Sequence, residues 1–134
     1  MPEQSNLCSV QMPEKGGTEL MRLKIGDTEV AVMWENNESA EALSQLCAEK
    51  PLVIHMSMYG GNEQFGPIGT YLPSRDVQTV THAGDIVLFA GNQIVVFYGS
   101  NSWAYTRLGH ITDRDESGMA ELLGRGDTTL TFSA

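Results

Sequence analysis

The segment from Tyr71 to Thr112 constrains the fold of this chain more than any other part of its sequence. Two runs rich in β-branched and aromatic residues, 86–89 and 93–98, flank a Gly91-Asn92 pair, and a third such run follows. Residues of this kind favour strands, and Gly and Asn both tolerate the positive φ of a tight hairpin turn. The segment therefore predicts consecutive antiparallel strands, with a two-residue turn at Gly91-Asn92.

The rest of the chain alternates between short extended runs and two helical patterns. An Asn can cap the helix predicted at 36–47, and Pro51 stops it; Gly124 is the predicted C-terminal cap of the helix at 113–123. About eight or nine short strands with two short helices predict a mainly β fold, a closed or nearly closed antiparallel barrel. The predicted strands lie at residues 20–25, 29–34, 52–59, 70–72, 77–81, 86–89, 93–98, 105–112 and 128–132.

Length and composition indicate one domain and exclude several partners. At 134 residues the chain has the size of one domain, which we expect at 20–134, after a polar tail or loose strand at 1–19. Eight basic and seventeen acidic residues give a net charge of −9, which argues against nucleic acids and anionic membrane surfaces. Two cysteines fit a reducing, cytoplasmic compartment. No apolar run predicts a transmembrane helix, and no signal peptide is recognised.

Several short pieces of the sequence occur in an order that resembles a known family. They include Trp34-Glu35-Asn36-Asn37, Gly61-Asn62-Glu63, Tyr71-Leu72-Pro73, Ala83-Gly84-Asp85-Ile86, Phe97-Tyr98 and Tyr105-Thr106-Arg107-Leu108-Gly109. From about Leu23 to Ser133 the chain is similar to the cyclophilin-like family of small, mostly bacterial proteins of unknown function. The resemblance implies an antiparallel β-barrel with two helices, similar to that of cyclophilin.

The resemblance does not imply peptidyl-prolyl isomerase activity. In cyclophilins that are isomerases, a strand carries Phe-His-Arg, and the Arg stabilises the twisted prolyl amide. The comparable region here, 55–61, contains no Arg, and Arg75 and Arg107 lie outside it. Because a fold is a poor guide to function, a weak or undescribed enzyme stays open as an alternative.

Two segments predicted to be loops hold most of the candidate binding residues. Residues 60–69 contain four glycines and lack the Gly-Lys-Ser/Thr ending of a phosphate loop. This segment is either a plain connection or a lid over a pocket, with Phe65 as its cap. At 99–105 a Trp lies beside Asn and Ser, a composition typical of adaptable binding sites. Alternatively, Trp103 fills the open end of the barrel.

The chain shows no recognisable set of catalytic groups or metal ligands. Its three histidines are scattered, without the spacing that a zinc site requires, so neither a metal nor another cofactor is expected. Ser57 lacks the surroundings of a nucleophile elbow. Asp85 is expected to cap the turn beside Gly84, and an acid–base pair with Glu63 is possible only if the loops converge.

These observations favour a non-enzymatic module that binds a small molecule or a peptide. The expected cleft lies between the 60–69 loop, Tyr71 and the 99–105 loop. Aromatic side chains would supply stacking area, polar ones would orient the ligand, and Glu63 would favour a cationic ligand. A protein-interaction domain that pairs through an exposed strand edge is a further alternative. The predicted ligand-binding residues are Tyr59, Glu63, Gln64, Phe65, Tyr71, Asn101, Ser102, Trp103 and Tyr105.

Overall fold

A computed structural model describes residues 20–134, which form a mainly β fold with two helices, as predicted. The tail or loose strand predicted at 1–19 lies outside the described residues. The elements, in chain order, are β1 Arg22–Ile25, β2 Thr28–Val30, β3 Val32–Trp34, α1 Glu38–Leu46, β4 Leu52–His55, β5 Ser57–Tyr59, β6 Glu63–Pro67, β7 Val77–Thr81, β8 Asp85–Phe89, β9 Gln93–Phe97, β10 Asn101–Ile111, α2 Glu116–Leu123 and β11 Thr129–Ser133.

Both helices begin at a side-chain cap. The side-chain oxygen of Asn37 accepts a hydrogen bond from the Ala40 N–H (2.9 Å), and Asp115 does the same for the Gly118 N–H (2.9 Å). Such caps satisfy N–H groups that the first helical turn leaves without partners. The first predicted helix is therefore confirmed, whereas the second starts at Glu116 rather than at 113, because Asp115 takes the cap position.

The strands form two antiparallel sheets. The smaller sheet has the strand order β2-β1-β11-β4. The larger sheet has the order β3-β10-β8-β9-β6-β5. The long strand β10 pairs with β7 through its first half and with β8 and β3 through its second half.

The predicted closed barrel is not confirmed, since neither sheet of residues 20–134 closes on itself. Two runs predicted as continuous strands break at Ala31 and Met56, and each continues in the other sheet. At the breaks the backbone N–H groups donate outside the ladders, to Asp113 Oδ2 (3.2 Å) and to the Thr128 carbonyl (2.9 Å). Strands that change sheets at a bend form the corners between two packed sheets. The chain therefore forms two packed sheets instead of the predicted barrel.

The main hydrophobic core takes side chains from both sheets and both helices. Leu23 and Phe132 come from the smaller sheet, Ile86 from the larger one, and Leu43 and Met119 from the helices; all five are fully buried. Each fully buried side chain of this size stabilises the fold by about 1.5–3 kcal/mol relative to its exposed state. The core therefore fixes the position of the larger sheet, which carries the candidate site described below.

The centre of the larger sheet is buried on both faces. One face packs against the main core, and we call the opposite face the outer face. Successive side chains of a strand point to opposite faces, so Ile86 reaches the main core whereas Val87 reaches the outer face. Val87, Val95, Phe97 and Tyr105 form a second, smaller cluster there. The candidate site lies on this face.

The prediction of loops at 60–69 and 99–105 was wrong, because each segment contains part of a strand. Residues 60–69 include β6, and β10 begins at Asn101, which leaves only a short turn before it. The glycine content misled the prediction: a Cβ at Gly66 would lie 2.5 Å from the His55 carbonyl oxygen, so Gly66 permits close packing rather than flexibility. Residues 70–72 are not a strand.

The hairpin between β8 and β9 is confirmed in place, but its turn has three residues instead of two. Phe89 pairs with Gln93, and positive φ angles occur at Ala90 (56°) and Gly91 (78°). The Ala90 N–H donates to Asp76 Oδ2 at 3.0 Å, which fixes the wider turn against the preceding segment.

Candidate functional site

A cleft of about 530 Å³ opens on the outer face of the larger sheet. Its volume lies within the range of small-molecule sites, roughly 300–1,000 Å³. Five strands contribute to it: β5, β6, β8, β9 and β10. The lining residues are Tyr59, Glu63, Phe65, Phe89, Gln93, Val95, Asn101, Trp103 and Tyr105.

The pairing register of the strands brings these side chains to one face. Tyr59 on β5 pairs with Glu63 on β6, and Glu63 pairs in turn with Phe97 on β9. Two residues further along β6, Phe65 pairs with Val95. Side chains of residues that pair across strands project to the same face of a sheet. The cleft is therefore built on hydrogen-bonded strands rather than on loops.

Aromatic rings make up most of the cleft wall. Tyr59 and Phe65 pack edge to face with ring centroids 5.9 Å apart, and Phe89 and Tyr105 do so at 6.0 Å. Such pairs contribute about 0.5–1.5 kcal/mol beyond the area they bury, so the rings hold one another in position. Tyr59 and Trp103 nevertheless remain 64% and 59% exposed. A large aromatic surface therefore faces solvent from rigid supports.

A polar group of three side chains lies among these rings. The Asn101 Nδ2 donates to the Tyr105 hydroxyl at 2.9 Å and to Glu63 Oε1 at 3.4 Å. A carboxylate has about four acceptor sites, and its charge-assisted hydrogen bonds are usually 2.7–2.9 Å long. Glu63 is only 6% exposed, and within residues 20–134 the long contact to Asn101 is its only side-chain hydrogen bond. Its carboxylate is thus buried with most of its bonding capacity unused.

Negative charge is disfavoured at this position. Burial raises the pKa of the Glu63 carboxyl above its usual 4.5, while the hydrogen bond from Asn101 opposes the shift. Burial also raises the pKa of Tyr105 above 10.0, and the nearby charge of Glu63 adds to that shift. A positive charge beside Glu63 would act in the opposite direction, because an opposite charge favours the ionised carboxylate.

Six of the nine predicted binding residues meet in the cleft: Tyr59, Glu63, Phe65, Asn101, Trp103 and Tyr105. The other three do not. Gln64 is fully buried and donates to the carbonyls of Leu123 (2.7 Å) and Gly126 (2.8 Å). Tyr71 is 74% exposed and lies beside the β8–β9 turn. Ser102 follows Asn101 on β10 and points to the opposite face, where its hydroxyl accepts a hydrogen bond from another strand.

Three lining residues escaped the sequence analysis: Phe89, Gln93 and Val95. They lie on β8 and β9, whose continuous apolar runs were interpreted only as strands of the fold. A run without alternation is typical of strands that are buried on both faces, and this was the available signal for a second packed surface.

Asp85 caps its turn as predicted, and it does not line the cleft. Its Oδ2 accepts a hydrogen bond from the His82 N–H at 2.9 Å. The same carboxylate also contacts Arg107 Nη1 (3.3 Å) and His110 Nδ1 (2.8 Å). Glu63 and Asp85 therefore belong to separate polar groups, and the structure does not join them as an acid–base pair.

Cationic side chains and metal clusters are absent from the described cleft. None of its lining residues is a Lys, Arg or His; Arg107 contacts Asp85, and Arg75 lines a different groove beside the start of α1. Among residues 20–134, no group of three or more His, Cys, Asp or Glu side chains could hold a metal ion. No helix in the same range is long and apolar enough to cross a membrane.

Comparison with known proteins assigns the family. The profile of the Cyclophilin-like family matches residues 23–133, which is most of the chain. The chain belongs to the cyclophilin-like family. The cyclophilin-like chain is also similar to a hypothetical protein from Archaeoglobus fulgidus with a solution structure: the TM-score is 0.58 at 17% identity, over 89% of this chain and 97% of that one. At this identity the likeness shows the fold alone. No curated protein matches the sequence.

Proposed function

We propose that this cyclophilin-like protein is a non-enzymatic module that binds a small molecule or a peptide in the cleft on the outer face. One observation carries the proposal: five aromatic side chains line the same cleft as a buried carboxylate, to which residues 20–134 offer a single, long side-chain hydrogen bond. Apolar walls with a few convergent polar groups are the usual composition of ligand sites.

Two further features support binding at this place. Trp103 and Tyr59 expose large apolar areas in the same cleft, and exposed apolar patches often mark interaction sites. The lining side chains stand on paired strands, so the backbone that carries them is already ordered and a ligand does not have to order a loop. The exposed rings thus favour an interaction at this face, and the paired strands favour a site that is formed before the ligand arrives.

The cleft chemistry supports binding more than prolyl isomerisation. The isomerase reaction of true cyclophilins uses an Arg, and none of the described lining residues is cationic. A proline-peptide isomerisation assay is expected to show no acceleration above the uncatalysed rate. Acceleration that Trp103→Ala removes would instead establish the alternative, an enzyme that uses the same cleft.

A thermal-shift screen of metabolites and Pro-containing peptides tests the proposal. A ligand that binds only the native state at 100 times its Kd stabilises it by about 2.7 kcal/mol and raises the Tm. Trp103→Ala is expected to remove the shift, whereas Tyr71→Ala, which truncates an exposed aromatic residue outside the cleft, is expected to keep it. A ligand whose shift is retained in Trp103→Ala and lost in Tyr71→Ala would place the site elsewhere.

The proposed partners exclude nucleic acids and membranes. The net charge of −9 supports this, since phosphate-rich surfaces would be repelled. A cytoplasmic location is part of the same proposal and is supported by the low cysteine content.

A further inference from the structure

The buried carboxylate of Glu63 lacks a counter-charge within the described chain. Residues 20–134 provide no salt bridge to it, and its only side-chain hydrogen bond is the 3.4 Å contact with Asn101. Burial of an unpaired charge costs free energy, so buried charges are usually paired within the protein or with a ligand. The position of Glu63 in the wall of an open cleft makes a ligand the available partner.

The groups around Glu63 select the type of cation. Ca²⁺ takes six to eight oxygen ligands, and Mg²⁺ requires an octahedral set, whereas this cleft offers one carboxylate, two amide oxygens and two phenols. Five of the nine lining residues are aromatic. The face of an aromatic ring attracts a cation within about 6 Å, and weakly hydrated organic cations benefit most. The wall therefore suits an organic cation better than a metal ion.

The charge of the whole protein acts in the same direction. A net charge of −9 raises the local concentration of cations and repels anions. None of the lining residues carries a positive charge that would compete for Glu63.

We infer that the ligand carries an alkylammonium group, and that this group binds beside Glu63 with its alkyl substituents against the aromatic wall. This inference rests on the proposed function, because it names the ligand chemistry of the same cleft. A quaternary ammonium group on a free small molecule and one on a methylated lysine side chain present the same chemistry to the cleft.

Two matched pairs of probes test the inference. Choline is compared with its tert-butyl analogue, in which carbon replaces the charged nitrogen at nearly unchanged shape. A tetrapeptide with trimethyllysine is compared with the peptide that carries the corresponding neutral tert-butyl side chain. Binding is followed by NMR at the indole N–H of Trp103, while the buried Trp34 indole, bonded to the Met21 carbonyl at 3.0 Å, serves as an internal reference.

The charged member of at least one pair is expected to bind at least about tenfold more tightly than the neutral member. Glu63→Gln is expected to reduce that difference, because it deletes the charge and keeps the shape, while the attraction of the aromatic rings for a cation remains. Glu49→Gln changes the net charge equally at an exposed site outside the cleft and is expected to preserve it. If choline binds more tightly than the peptide, the ammonium group of the ligand belongs to a free small molecule. If the peptide binds more tightly, the ammonium group belongs to a methylated lysine side chain.

Two outcomes overturn the inference, and they are distinguishable. If neutral and charged probes perturb Trp103 equally in the wild-type protein, the cleft binds ligands without recognising a cation, and the proposed function stands. If neither these probes nor any compound of the thermal-shift screen binds at the cleft, the proposed function fails together with the inference.

Discussion

The side-chain amide of Asn101 donates a 2.9 Å hydrogen bond to the hydroxyl of Tyr105, four residues further along β10. The same nitrogen lies 3.4 Å from the carboxylate of Glu63. The two N–H groups of this amide can serve both acceptors, and the longer of the two contacts goes to the carboxylate. Within residues 20–134 no other side chain donates to Glu63, which leaves its carboxylate buried and available to a ligand.

Glu63→Gln is expected to stabilise the protein at neutral pH. Burial raises the pKa of Glu63 in the folded state, so folding favours the protonated form. Below the pKa of Glu63 in the unfolded state, the carboxyl is protonated in both states and the protein keeps its full stability. As pH rises through the higher pKa of the folded state, the buried carboxyl ionises and stability is lost. At pH 7 the variant should therefore melt at a higher temperature than the wild-type protein.

Thermal melts of wild type and Glu63→Gln at pH 7 and near pH 4 check this prediction. The difference in Tm should shrink at the lower pH, where the wild-type carboxyl becomes protonated. Glu49→Gln is the control for the change in net charge. A lower Tm for Glu63→Gln at pH 7, with Glu49→Gln unchanged, would mean that the Glu63 carboxylate stabilises the fold.

Trp103→Ala is expected to leave the free energy of unfolding within about 0.5 kcal/mol of wild type, because the Trp103 side chain is mostly exposed. Trp34→Ala is the matched contrast. Trp34 is 8% exposed, packs against Phe132 and donates to the Met21 carbonyl, so its loss should cost about 3–5 kcal/mol. Urea unfolding measures both. A large loss of stability in Trp103→Ala would support the alternative that Trp103 fills a structural gap.

Gln64→Leu is expected to destabilise the protein without a direct effect on the cleft. Its amide donates to Leu123 and Gly126, and its oxygen accepts from the Thr128 N–H at 3.1 Å. The variant leaves the buried Leu123 carbonyl without this partner, at about 1–3 kcal/mol, and also removes the hydrogen bonds to the partly buried Gly126 carbonyl and Thr128 N–H. Urea unfolding should show a loss of at least about 2 kcal/mol, against less than about 0.5 kcal/mol for Ser102→Ala. Equal stability of the two variants would contradict the structural role of Gln64.

Local sequence signals predicted the elements but not their arrangement. The separation of the first two strands and the position of the first helix were predicted, because the turn and cap residues concerned lie within a few positions of each other. The bends at Ala31 and Met56 carry no Gly or Pro. They depend on partners far along the chain, such as Asp113, which lies 82 residues from Ala31. A closed barrel was predicted because these distant contacts are not visible in a short window.

The same limit explains which parts of the site were predicted. The aromatic and acidic residues were recognised by type, whereas their orientation requires strand alternation. Because residues 60–69 were predicted as a loop, Gln64 was placed in the site with its neighbours Glu63 and Phe65. In β6 these two neighbours point into the cleft, and Gln64 points away from it. Alternation likewise separates Ser102 from Asn101 on β10.

An NMR fragment screen of isotope-labelled protein, with backbone assignments, tests the central claim most directly. We predict that fragments which bind will perturb the signals of β5, β6, β9 and the first half of β10, together with the Trp103 indole. The Trp34 indole should stay unchanged. Perturbations that cluster at another groove, or a broad library without any effect on the cleft residues, would contradict the claim that this cleft is the binding site.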